Sequence, residues 1–151
     1  MTETDRLALR FCERWDDAAR GFLSAMFHDP QAGLDAGANA GLDAACFPSP
    51  ELWTIADYLA IAAELHITPT VATISAAAAI NRQPVHNSND SDLEWLTNLE
   101  TRPARVAEYA RLLASFATRV QLCRGLNNAY WQLLGPLADY SGSDNTKGVQ
   151  P

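Results

Sequence analysis

Three histidines and three cysteines are the side chains of this 151-residue chain best suited to hold a metal or attack a substrate. His28, His66 and His86 lie far apart, and none forms the HxxxH or ExxH pair that sets two ligands on one helical face. No metal is therefore expected. His66 shares a helical face with Leu59 and Ala63, which predicts an interior, hydrogen-bonded imidazole. Cys12, Cys46 and Cys123 have no CxxC spacing and cannot all pair, a pattern that suits buried, unbridged thiols in a reducing compartment. Cys123 falls on an apolar helical seam, where a thiol packs more often than it reacts.

The run "DAGANAGLDAAC", Asp35 to Cys46, puts Asp35, Asn39 and Asp43 at the first, fifth and ninth places of a calcium-type loop. Such a loop also needs an oxygen ligand, a glycine and a bidentate glutamate at its third, sixth and twelfth places. Gly37, Ala40 and Cys46 stand there instead, so calcium is excluded and these polar residues read as turn and cap formers. There is no glycine-rich phosphate loop and no GxSxG elbow. Catalytic, cofactor-binding and metal residues are all read as none, and the chain as no enzyme.

Charge is more informative. The formal net charge is −7, and the 61 residues from Gly21 to Asn81 contain no lysine or arginine. Asp29, Asp35, Asp43, Glu51, Asp57 and Glu64 all fall in that stretch. Within it, "LAIAAELHITPTVATISAAAAINR" has the outline of a helix-turn-helix. Its second helix, however, offers no arginine, lysine, asparagine or glutamine to a base edge before Asn81. Duplex binding rests on cations that neutralise phosphate, and an acidic module is repelled. An antiparallel helix pair in the core is the expected role. Farther along, Arg102, Arg105, Arg111, Arg119 and Arg124 meet one acid, Glu108. At about 100° per residue they scatter around a helix, so they read as a solvated face partly paired with the acidic middle.

The elements that must carry these groups are helical. Leu7, Phe11, Trp15, Ala18, Phe22 and Met26 recur at three and four, predicting an amphipathic helix over about 4–27, with Thr2 and Asp5 as its cap. Gln31 to Phe47 is rich in glycine and predicts a short, loose helix or turns. Ser49–Pro50 starts a helix to about His66, and Thr68–Pro69 another to about Asn81. Residues 81–91 read as a polar loop, with Ser91 and Glu94 boxing a helix over 92–100. Pro103 opens a helix to Gly125, with Val106, Tyr109, Leu113, Phe116, Val120 and Cys123 on its seam. A short last helix stops at Gly135–Pro136, before a polar tail. The expected fold is an all-α, compact bundle of six or seven unequal helices: one domain over 1–140 and a disordered, flexible tail over 141–151.

One surface strip stands out on the helix from Pro50. Leu52, Ile55, Leu59 and Ala63 form its inward face, while Trp53, Asp57, Ile61 and Glu64 run down the other side. An aromatic and an aliphatic residue framed by carboxylates resemble an interface anchor with a charged rim. The expectation is a small acidic protein-binding module that inhibits or regulates a partner by occupying its basic surface, a job done by immunity proteins, antitoxins and phage-encoded antagonists of host defence. A structural subunit of a larger assembly, or a helical enzyme with a scattered site, are the alternatives. No run is long and apolar enough for a membrane span, and the start "MTETDRLALRF" lacks a secretory signal, so a cytoplasmic site without membrane or direct nucleic-acid binding is expected.

Overall fold

Local signals start most helices close to where the sequence puts them. In the computed structural model, which describes residues 1–80 and 93–148 (side chains excepted at 130, 131 and 134–148), Thr2 Oγ1 accepts from Asp5 N at 3.1 Å. Asp5 Oδ2 in turn accepts from Thr2 N at 2.9 Å, closing a capping box on α1, Glu3–His28. Asp29 Oδ1 accepts from Ala32 N at 3.1 Å, with Pro30 in the first turn of α2, Pro30–Ala40. Ser49 Oγ accepts from Leu52 N at 3.3 Å to start α3, Pro50–Glu64. The helix expected from Thr68–Pro69 begins later: Thr70 and Thr73 cap each other's amides at 2.8 and 3.1 Å, and α4 is Val71–Ile80. The box expected from Ser91 and the loop over 81–91 lie outside the described residues; α5 is only Trp95–Asn98. A 3-10 turn at Pro103–Arg105 leads into α6, Val106–Gly148, and another spans Ala44–Cys46. Among the described residues all regular structure is helical, as expected.

Tertiary contact overrides local weakness in α2. Gly33 lies where the Met26 side chain occupies the space of a β-carbon, so glycine is what allows α1 and α2 to meet. Gly41 then closes α2 in the left-handed region at φ 69°. The glycines that predict looseness thus let a regular helix pack.

The chain divides into two compact units, Met1–Ala117 and Thr118–Pro151. In the first, the C-terminal half of α1 is the hub against which α2, α3, α5 and the Pro103 turn pack. Gly21 to Met26 are buried on every side, whereas Leu7, expected on the core face, is exposed. The core gathers Phe22, Leu23, Met26, Leu52, Ile55, Leu59, Leu96 and Leu113. Trp15 Nε1 donates to Cys46 O at 2.8 Å, tying the Ala44–Cys46 turn to α1. Phe11 and Phe116 meet edge to face with centroids 5.2 Å apart.

Three expectations change. Val106, Leu113 and Phe116 are buried as the seam requires, but Cys123 is exposed, as is Cys12; Cys46 is the buried thiol. His66 is also exposed, for it closes α3 outside the core at φ 54°. In the second unit α6 runs on through Gly125 and across Gly135–Pro136, where ends were expected. Residues 149–151 of the expected tail lie outside the described residues.

Candidate functional site

Between α2 and α3 an open cleft of about 260 Å³ reaches down to α1. Its floor is Phe22, Met26 and Phe47, the first two from the buried end of α1 and the third from the turn before α3. Gly37 and Ala38 from α2 face Ala56 and Ala60 from α3 across it. These short side chains hold the walls apart by leaving them unfilled. A β-carbon on Gly37 would come no closer than 3.9 Å to Phe22 and Leu42, so the space beside it is open. Trp53 and Asp57 complete one rim.

The structure divides the four strip residues. Trp53 is half-buried, its ring 5.5 Å from that of Phe47, and lines the cleft. Asp57, one turn on, is exposed at the same mouth. Ile61 is 44% exposed and Glu64 exposed farther along α3, but neither lines the cleft. The inward face expected for α3 is buried: Leu52, Ile55, Leu59 and Ala63. Trp53 is thus neither bare nor enclosed: it packs against the core beside Phe47 and keeps part of its side chain at the surface.

The remaining lining residues were not singled out from the sequence. Phe22 and Met26 carry the helical spacing of core residues, and nothing in a single sequence tells a core side chain from a cleft floor. The paired small residues Ala56 and Ala60, one turn apart on α3, are the sole local trace.

The electrostatics around the cleft are one-sided. Asp35, Asp43, Glu51, Asp57 and Glu64 are all exposed on α2, α3 and the turn between them, and no lysine or arginine lies on these elements. Asp43 also caps the Ala44–Cys46 turn, its Oδ1 accepting from Ala45 N at 3.0 Å, and Asp35 accepts from Gln31 Nε2 at 3.0 Å. Burial pushes the Cys46 thiol above its ordinary pKa, the opposite of what a nucleophilic thiolate requires.

Other polar groups serve the fold. His28 and His66 line a second cleft of about 210 Å³ beside Pro30 and Pro69, yet no group of three His, Cys, Asp or Glu among the described residues could hold a metal ion. His86 lies outside the described residues. The arginines do not all reach the acidic middle: Arg102 and Arg105 pair with Glu100 at 2.9 and 3.1 Å, and Arg105 with Glu108 at 2.8 Å. Glu100 is almost wholly buried and also accepts from Tyr109 Oη at 2.9 Å. Its carboxyl is held at about 2, chiefly by the Arg102 hydrogen bond. Ser24, buried in α1, accepts from Glu100 N at 2.9 Å and donates to Leu96 O at 2.9 Å. This cluster fastens α5 and the start of α6 onto α1.

No family model, curated protein or solved structure matches the chain. No helix among the described residues is long and apolar enough to cross a membrane.

Proposed function

We propose that this protein is a non-catalytic binding module whose α2–α3 cleft receives an apolar side chain from a basic partner protein. The cleft itself carries the reading: an open, apolar hollow of about 260 Å³ with Trp53 and Asp57 at its mouth. Aromatic residues beside a desolvated pocket dominate binding energy, while carboxylates at a rim steer a cationic surface into place. The base-free stretch from Gly21 to Asn81 supports the sign of the partner, since its field attracts lysine and arginine and repels phosphate. Ile61 and Glu64 extend the contact along α3. Action by occupancy, as an inhibitor or regulator, suits a surface that offers a hollow and a charge and no reactive group. Three free thiols fit a reducing compartment such as the cytoplasm.

The decisive experiment uses immobilised wild-type protein beside Gly37→Leu, which fills the cleft, and Asp57→Lys, which reverses its rim. A protein retained by the wild type and lost by both variants, with unchanged circular dichroism, supports the proposal. Retention that is equal on all three surfaces overturns it.

A further inference from the structure

We propose that the partner segment seated in the α2–α3 cleft is a basic amphipathic helix, whose central apolar side chain enters the hollow as a knob enters a hole. The inference rests on the cleft being a protein-binding site, and adds the shape and chemistry of what it binds. The α3 wall favours a helix. Its lining residues Trp53, Ala56, Asp57 and Ala60 stand at i, i+3, i+4 and i+7, the four corners of the hole that takes one side chain from a facing helix. Opposite them, Gly33 and Gly37 lie one turn apart on α2, as do Leu34 and Ala38. Both walls therefore repeat with the turn of a helix, and such rows mesh with those of a third helix laid across them. An extended chain repeats its side chains every second residue and has no counterpart to these rows.

Size limits what enters. The hollow of about 260 Å³ is open, and smaller than the roughly 300–1,000 Å³ of clefts that bury a whole small molecule. One leucine or phenylalanine side chain suits it, with the rest of its helix resting on the rim. Ala60 and Gly37 let that helix come close, since neither raises a long side chain in its way. Ile61, 44% exposed and one turn beyond Asp57, meets a second apolar residue placed three or four positions from the first.

Charge sets the sign of the flanks. Asp57 is exposed at one corner of the hole, and its carboxylate has no ion pair or hydrogen bond among the described residues. Glu64, seven residues on, is exposed and unpaired in the same sense. Residues three and four apart share a helical face, so lysine or arginine at those distances from the knob brings its charge to the rim where these carboxylates stand. The long stem of either also covers the exposed part of Trp53, over whose ring a cation is favoured. A second copy meeting this face with its own would oppose acid to acid, because every charged residue on α2, α3 and the turn between them is an aspartate or glutamate.

Fluorescein-labelled peptides of about 18 residues, some five helical turns, test this by their anisotropy against the full chain. One peptide sets leucines three and four apart on one helical face, flanked by lysines, with alanine elsewhere. A second carries proline in place of two central alanines, which bars the helix, and a third has glutamate for every lysine. The first should bind at least tenfold tighter than the second and weaken as salt rises, and the third should not bind. Gly37→Leu and Asp57→Lys should each weaken the first peptide at least tenfold; Asp57 is exposed, so its variant folds even where Gly37→Leu does not. Equal affinity for the first and second peptides overturns the helix and leaves the cleft reading standing. Equal affinity of the wild type and a folded Gly37→Leu for the first peptide overturns both, because the contact then lies elsewhere. A wild type that is dimeric by light scattering, and monomeric as Gly37→Leu, gives the cleft to a second copy and overturns the inference. Binding of none of the peptides overturns the basic helix alone, since retention of a protein by the immobilised wild type does not depend on it.

Discussion

His66 shows how one residue can carry strain that its neighbours require. It closes α3 at φ 54°, with Ile67 N donating to Ala62 O at 2.9 Å and His66 N to Ala63 O at 3.2 Å. These two bonds satisfy the carbonyls at the helix end, and the turn favours glycine at the central place because an L side chain there crowds the backbone. His66→Gly should therefore raise the unfolding free energy by about 0.5–1 kcal/mol in urea titrations, and His66→Val should lower it by more than that. Equal midpoints for the three proteins would show that the histidine side chain makes compensating contacts. Phe116 acts in the opposite way, through volume. It is buried against Phe11, and Phe116→Ala should cost about 3–5 kcal/mol by leaving a cavity between α1 and α6. An unchanged denaturant midpoint would contradict the packing of those two helices.

At the level of elements, the joint that holds α5 and the start of α6 to α1 is electrostatic. The Glu100 carboxylate accepts from Arg102, Arg105 and Tyr109 while its own amide is fixed by Ser24. Desolvation opposes the charged form and the hydrogen bonds to Arg102 and Tyr109 favour it; the bonds win, leaving the pKa at about 2 against an ordinary 4.5. A depressed carboxyl pKa means stabilisation that is complete above the unfolded value and lost as pH falls through the folded one. The wild-type urea midpoint should thus decline from about pH 5 downward toward pH 2. Glu100→Gln should be less stable at neutral pH and decline less in acid, so the two curves converge. Curves that stay parallel across that range would show that Glu100 does not carry the linkage. The Tyr109 ring also fills the space a β-carbon would take at Gly21, so Gly21→Ala should loosen the same joint, by about 1–3 kcal/mol.

For the whole molecule, the unequal distribution of charge decides what it can approach. With α2, α3 and the turn between them bearing acids and no bases, association with a cationic partner should be fast at low salt and slow as salt screens the field. Asp57→Lys should lower the association rate more than it raises dissociation, whereas Trp53→Ala should cost at least ~2 kcal/mol of binding and act mainly on dissociation. Because Trp53 packs half-buried on Phe47, its removal should also lower stability modestly, so binding must be read beside a thermal melt. The same field argues against nucleic acid. A mobility-shift titration with duplex DNA should show no binding at micromolar concentration, and micromolar, steeply salt-dependent binding would reverse the assignment of partner sign.

Much of this architecture is set by short-range chemistry that a single sequence displays. Capping by Thr2 and Ser49 acts within one turn, and the apolar spacing of α3 alone determines that Leu52, Ile55, Leu59 and Ala63 turn inward. The acidic middle is likewise a property of composition, because a stretch without bases stays acidic however it folds. What the sequence did not settle depends on which neighbours arrive. Gly33 favours a loose chain until Met26 fills the space beside it; then it becomes the reason α2 is helical and close. Glu100 has no local mark of burial: Arg102 is two residues away, but Ser24 and Tyr109 reach it only once α1 and α6 are side by side. His66 and Cys123 fall on apolar spacings yet face outward, because periodicity assigns a face to a helix but not a partner to that face. The cleft is the clearest case: its walls come from α2 and α3 and its floor from α1, so only packing, which leaves Gly37, Ala38, Ala56 and Ala60 short of closing the gap, could create it.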